Sequence, residues 1–437
     1  MAHSDRKILG LSLNHPVSDT VTVPGDKSIS HRSLLFGAIA HGVTEISGFL
    51  QAEDCLNTLN MIQQLGVPVE KSGGLLSIAG QGRMGLQAPT GDLYCGNSGT
   101  GMRLISGILA AQPFSSRLTG DASLSGRPMG RIMRPLTEMG AHIEATAEQA
   151  PLVFKPVDQL KGIHFESQIA SAQVKSCLLL AGLYAKGETC VSEPVKSRDH
   201  TENMLRGFGY DVHIDGLSVR VQGGGNLVGQ SVQVPADISS AAFFMVLAAC
   251  KENSQLRLPQ VCVNPTRAGV IEILQLMGAN ITLENQQQKA GELLADVCVS
   301  YAPLKGIEIP VRLIASAIDE FPIIFIAAAL AKGTTILKQA DELRHKESDR
   351  IAVMISGLKA LGIQCEETED GAIIHGGQFR SGQVDGAGDH RCAMSFLIAG
   401  CLTDSEHRIQ VSGCGGIATS FPSFIDTCVQ LGGQLHV

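Results

Sequence analysis

Two short stretches put acids and bases close enough to act together. "IASAIDEFPII", from Ile314, carries Asp319, and "LRHKESDR", from Leu343, packs Lys346, Glu347, Asp349 and Arg350 into five residues. Carboxylates held beside Lys and Arg can serve as general base and general acid, because neighbouring charge sets how readily each takes or gives a proton. On spacing alone the same residues read equally well as a helix-capping Asp and a solvated charged turn. A second chemistry, anion binding, is written in "VPGDKSISHRSLLFGAIA", where Lys27, His31 and Arg32 open an apolar helix. A helix N-terminus carries about half a positive charge, so bases there cost stability unless an anion compensates. "LYCGNSGTGMR" adds a Gly-rich turn ahead of a helix, able to offer bare N–H groups to a phosphate or carboxylate. "ESQIASAQVKS" adds Ser171 and Gln173, suited to hydroxyls and phosphate oxygens but equally to a helix cap.

The elements that must position these side chains repeat. An amphipathic helix, then Gly, then a short strand recurs six times, in "QQLGVPV", "TEMGAHI", "RGFGYDV", "QLMGANI", "KALGIQC" and "VQLGGQL". The unit is about 70 residues long, with one insertion in the fifth. Each unit also holds an earlier, more apolar helix, such as "VKSCLLLAGLYA" or "FPIIFIAAALA", and an alternating stretch that reads as a strand. The pattern predicts an α/β fold with the apolar helices buried and the amphipathic ones half exposed. The similar phrases "VPGDKSIS" at Val23 and "VPADISSAA" at Val234 divide the six units into two groups of three, and chain order leaves open whether the N-terminal segment returns to the second group.

Charge recurs at one phase of this repeat. The amphipathic helices open at Asp54, Arg127, Arg198, Arg267, Arg350 and Thr419, and the apolar ones carry Lys27 with Arg32, Arg103, Lys175 and Arg391 near their starts. Long cations at helix N-termini make anion sites, since N–H groups, dipole and guanidinium forks address one negative charge. The reading is that the compensating charge belongs to a ligand.

Composition narrows the classes. A net charge of −8, no Trp and 4% aromatic residues argue against nucleic acid. The longest apolar run, "PIIFIAAALA" from Pro322, is too short to span a bilayer, and the N-terminus has no signal-peptide pattern, so a cytoplasmic protein with no membrane partner is expected. The 12 Cys include no Cys-x-x-Cys pair and the 13 His no His-Glu-x-x-His, so reduced core thiols and no metal are expected.

The stretches "PGDKSISHR", "GNSGTGMRL", "GDASLSGRPM", "SAQVKS", "SRDHTE", "IDEFP", "KESDR", "DHRCAMSF" and "ATSFP" resemble, in order, the motif series of the 5-enolpyruvylshikimate-3-phosphate synthase family. The resemblance implies two lobes, each of three βαβαββ repeats, in the inside-out α/β barrel manner of enolpyruvyl transferases. It implies a lobe over 22–234, mainly for shikimate 3-phosphate, and a discontinuous lobe over 1–21 and 235–437 carrying Asp319, Glu347, Arg350 and Arg391. The implied reaction transfers the enolpyruvyl group of phosphoenolpyruvate to the 5-hydroxyl of shikimate 3-phosphate through a tetrahedral ketal, in aromatic amino-acid biosynthesis, with no cofactor and in a monomer. Shikimate 3-phosphate is assigned to Lys27, Ser28, Arg32, Ser171, Gln173, Arg198, Asp319 and Lys346. Phosphoenolpyruvate is assigned to Lys27, Asn97, Gly99, Arg127, Lys346, Arg350 and Arg391. Asp319 is the implied base and Glu347 the acid, with Lys27 and Lys346 beside them. Ala172 stands where many members have a second serine and Thr419 where many have a lysine, as in the family's divergent second class. Gly99 keeps the small residue associated with sensitivity to glyphosate. Two rivals are the sister transferase acting on UDP-N-acetylglucosamine, whose loop cysteine is missing from "LSGRPM", and a non-catalytic polyanion-binding protein, for which Asp319 and Glu347 serve no purpose.

Overall fold

In the computed structural model, which describes residues 9–289 and 291–437, the apolar stretches form the helices Lys27–Ile39, Gly99–Leu109, Ala172–Gly182, Ile238–Cys250, Phe321–Leu330 and His390–Leu402. Phe321 to Ala329 are all buried, as are Ile238 to Ala249, because these helices have no polar face to turn to water. The amphipathic helices are Glu53–Gln64, Gly130–Glu138, His200–Gly207, Gly269–Leu276, Arg350–Ala360 and Phe424–Gln430. In the first of them Asp54, Cys55, Thr58, Leu59, Met61 and Ile62 are buried, a single face at helical spacing.

The repeat glycine has a geometric cause. Gly66, Gly140, Gly209, Gly278, Gly362 and Gly432 all have φ between +81° and +103°. At the first, Gly66 N–H donates to the Gln63 carbonyl at 3.0 Å and Val67 N–H to the Ile62 carbonyl at 3.1 Å, which closes the helix with a left-handed residue. The same two bonds end the other five helices. Around Gly209 nothing lies within 4 Å of an added Cβ, so Gly209→Ala isolates the backbone strain. A loss of about 1 kcal/mol in urea unfolding is expected. An unchanged midpoint would mean that this helix end tolerates an ordinary residue.

The chain divides into two compact units. The first to be described is Gly25–Val234 with Gln288–Glu292. In it Leu93–Tyr94 runs parallel to Ser116–Thr119, followed by antiparallel Gln149–Phe154 and Ile143–Thr146. His164–Glu166, Glu188–Ser192, Ser218–Gln222 and His213–Asp215 repeat that order. The sheet of Ala40–Ser47, Leu75–Gln81 and Val69–Ser72 takes its parallel edge from Leu227–Val228 and Ser231–Gln233, so the end of the unit closes on its first repeat.

The other unit joins the N-terminal residues through Pro24 to Pro235–Gln287 and Leu293–Val437. Ser18–Thr20 lies parallel to Gln255–Cys262, which is antiparallel to Glu292–Ser300, with Asn280–Lys289 beyond. Those last two long strands take up much of the extra length between Gly278 and Gly362. Thr334–Leu337, Gly371–His375 and Cys365–Thr368 form an antiparallel sheet, Gly382–Asp385 pairs in parallel with Ile409–Ser412, and Gly10–Ser12 pairs with Gln434–His436. One apolar core fills this unit, built on its three buried helices, with Phe244 against Phe421 and Phe424. Among the described residues no helix is long and apolar enough to cross a membrane.

Candidate active site

In the unit Gly25–Val234, Asp26 caps the helix Lys27–Ile39, its Oδ1 accepting from Ile29 N–H at 2.8 Å. Lys27, at the helix start, meets Asp54 Oδ2 at 2.5 Å. One turn on, Arg32 is buried, donating from Nε to Thr201 Oγ1 at 2.8 Å, from Nη1 to the Ser28 carbonyl at 2.9 Å and from Nη2 to Ser176 Oγ at 2.8 Å. Burial draws its pKa down to about 10, Glu202 and Asp26 oppose that, and the nearby Arg198 charge adds to it, so Arg32 stays cationic at neutral pH. His31 lies between Thr58 Oγ1, 2.8 Å from Nδ1, and Ser98 Oγ, 3.3 Å from Nε2. Burial first, then Lys27 and Arg32, hold its pKa well below the usual value, so it is a neutral brace between three segments.

Beside it, Ser98 Oγ caps the helix Gly99–Leu109 by accepting from Gly101 N–H at 2.9 Å. A Cβ at Gly99 would lie 3.1 Å from Arg103 Nη1 and 3.3 Å from Arg127 Nη1, so the glycine lets two guanidinium groups approach one helix end. Arg103 Nη1 donates to Gln173 Oε1 at 2.5 Å, and Gln173 Nε2 to Thr100 Oγ1 at 2.9 Å. Arg127 Nη2 donates to Asn97 Oδ1 at 2.7 Å, and Asn97 Nδ2 to Asp121 Oδ2 at 2.7 Å. The structure thus strings Gln173, Arg103, Gly99, Arg127 and Asn97 together. Ser171 caps the helix Ala172–Gly182 through Val174 N–H at 3.4 Å.

In the other unit the acids and bases form a connected cluster. The helix Phe321–Leu330, whose N-cap residue Glu320 makes no side-chain capping bond, is preceded by Asp319. The Asp319 carboxylate meets three cations: Arg350 Nη1 at 3.2 Å, Lys346 Nζ at 3.6 Å and Arg391 Nη2 at 4.0 Å. Arg391 Nη1 also donates to the Asp319 carbonyl at 3.0 Å and lies 3.4 Å from Glu320 Oε1. Arg350 is buried and branches, donating from Nη2 to Glu347 Oε2 at 2.6 Å and from Nε to Asp389 Oδ2 at 2.8 Å. Asp389 in turn caps the helix His390–Leu402 through Arg391 N–H at 2.9 Å. Burial raises its pKa, and Arg350 more than reverses this, leaving it below the usual value. With Lys346 and Glu347 only about a quarter exposed, at 24% and 25%, "LRHKESDR" is an interlocked turn rather than a solvated one.

One expectation needs correction. The cations at the helix starts do not all await a ligand, since the chain supplies counter-ions to several. Asp54 pairs with Lys27, Glu193 and Glu202 enclose Lys175, and Asp237 and Glu320 flank Arg267. Lys175 is therefore buried structure, not an anion ligand. Thr419 turns inward, donating to the Gly416 carbonyl at 2.7 Å. Sequence reasoning passed over Asp121, Glu320 and Asp389; the signal for Asp389 was an Asp immediately before an apolar run.

A family model for EPSP synthase (3-phosphoshikimate 1-carboxyvinyltransferase) matches residues 12–428. The 3-phosphoshikimate 1-carboxyvinyltransferase of Methylococcus capsulatus is 54% identical over 419 residues, 95% of each chain. That of Ruthia magnifica is 52% identical over 423 residues, 96% of this chain and 97% of its own. A solved structure of EPSP synthase from Acinetobacter baumannii aligns with a TM-score of 0.88 at 50% identity, over 98% of this chain and 100% of that one. The enolpyruvyl transferase NikO from Streptomyces tendae, at 16% identity and a TM-score of 0.77 over 98% of each chain, shares the fold.

Proposed function

The chain belongs to the EPSP synthase family, and from that premise we propose which of its residues bind and transform the two substrates. Its activity is the 3-phosphoshikimate 1-carboxyvinyltransferase reaction: the enolpyruvyl group of phosphoenolpyruvate passes to the 5-hydroxyl of shikimate 3-phosphate and phosphate leaves. Relatives of that activity at 54% and 52% identity over nearly the whole chain set aside both the nucleotide-sugar transferase and the non-catalytic anion binder.

Shikimate 3-phosphate is held by Ser28, Arg32, Ser171, Gln173 and Arg198, with Lys27, Lys346 and Asp319 at its reacting hydroxyl. Phosphoenolpyruvate is held by Lys27, Asn97, Gly99, Arg127, Lys346, Arg350 and Arg391. The observation that carries this reading is the Asp319 carboxylate, which faces three cations beside a second carboxylate, Glu347. Asp319 takes the 5-hydroxyl proton as that oxygen bonds to C2 of phosphoenolpyruvate, and Glu347 in its acid form gives a proton to the methylene carbon. The arriving carboxylate and phosphate raise the proton affinity of Glu347 against the opposing pull of Arg350. In the second half Glu347 takes a methyl proton back, the double bond re-forms, and phosphate departs with the proton that Asp319 received. Fixed cations stabilise the anionic ketal, and positioning two bound reactants supplies much of the remaining rate.

Glu347→Gln in heavy water tests the acid. The parent enzyme is expected to wash solvent deuterium into the methylene group during turnover, and the variant, with no proton to give, is not. Deuterium incorporation at the parent rate in the variant would move the acid to another residue. The reading includes a monomer in the cytoplasm; the 12 cysteines, none of them in a disulfide, suit a reducing compartment.

A further inference from the structure

The reaction makes no direct use of a buried ion triad in the unit Gly25–Val234. Lys175 Nζ lies 2.8 Å from Glu193 Oε2 and 2.7 Å from Glu202 Oε1, with each side chain at most 3% exposed. Taking three charges out of water is costly, and apolar residues of similar volume would often serve stability as well. The two carboxylates differ in what else they hold. Glu193 Oε1 accepts the Ser171 N–H at 3.1 Å, and its Oε2 accepts the Ser197 N–H at 3.4 Å. Among the described residues Glu202 bonds neither of those segments, and its Oε2 has no hydrogen-bond partner.

We propose that Glu193 is a positioning residue for shikimate 3-phosphate: paired with Lys175, it fixes the Ser171 segment against the Ser197–Arg198 segment, so that a hydroxyl and a guanidinium meet the ligand at a set separation. The proposal rests on the assignment of Ser171 and Arg198 to that substrate. A strut of this kind lowers the ordering cost of binding, so its loss falls on the affinity for shikimate 3-phosphate and not on phosphoenolpyruvate or the chemical steps. Lys175 serves by anchoring the Glu193 carboxylate, 2.8 Å from its Nζ, between the two N–H groups.

The test compares Glu193→Gln with Glu202→Gln, which removes the same charge from the same lysine, and adds Arg198→Ala. Glu193→Gln is expected to raise KM for shikimate 3-phosphate about tenfold, with KM for phosphoenolpyruvate and kcat within about twofold of the parent. Glu202→Gln is expected to melt earlier yet keep the parent KM for shikimate 3-phosphate. Equal rises in both variants, or none in Glu193→Gln, would overturn the proposal. An unchanged KM in Arg198→Ala would instead indict the ligand assignment, while a rise there without one in Glu193→Gln would indict the strut alone. Should Glu193→Gln fail to fold, Glu193→Asp keeps the charge and shortens the reach, and the same rise in KM is expected of it.

Discussion

Asp319→Asn is expected to bind shikimate 3-phosphate as the parent does and to lose turnover by about a thousandfold, the usual scale for a positioned general base. Proton removal belongs to the transition state, whereas the substrate's anionic groups are held by other side chains. Asparagine keeps the shape among Lys346, Arg350 and Arg391 but removes the charge that these cations face. Phosphoenolpyruvate, an anion arriving at three cations with one acid fewer, should bind no worse. Calorimetry gives the affinities and phosphate release gives the rate. Near-parent turnover in this variant would show that the base is elsewhere.

Arg350→Met is expected to abolish activity and to cost about 3–5 kcal/mol of stability, because it strands the fully buried Asp389 without its partner. The cost has a pH signature. With Arg350 present, the depressed Asp389 pKa contributes stability above the unfolded pKa, and this is lost as pH falls through the lower, folded value. In the variant burial and the Glu347 charge outweigh what His390, Ser348 and the Arg391 N–H still offer the carboxylate, so the folded pKa is expected to rise above the unfolded one, with the penalty greatest at neutral pH. Urea midpoints of parent and variant should therefore lie further apart at pH 8 than at pH 5. A gap independent of pH would mean that Asp389 is not the group left unpaired.

The repeat was legible in the sequence because each part has a local cause. A helix that must end in a left-handed residue needs glycine, as Gly66 and Gly209 show, and a helix such as Phe321–Leu330 with no polar face has to be buried. The pairing of charges was not legible in the same way. Lys175 and Arg103 stand at similar phases of their helices, yet one is enclosed by two acids and the other bonds a glutamine. Lys27 and Asp54, or Arg350 and Asp389, come from separate elements, and only the fold brings them together. Asp319 illustrates the same limit. Spacing left it open between cap and base, and the support for the proposed base comes from Arg391 and Lys346, which approach it from other parts of the chain.

The cations serve two ends: Lys175 holds the chain's own acids in place, while Lys27 and Arg350 pair with acids of the chain and are also proposed to meet the substrates. The claim that this arrangement turns over only when both substrate anions are present is tested most directly by phosphate release from phosphoenolpyruvate. Release is predicted with shikimate 3-phosphate added and is predicted to be absent both without it and with UDP-N-acetylglucosamine in its place. Phosphate appearing without shikimate 3-phosphate, or appearing with the nucleotide sugar, would contradict the account.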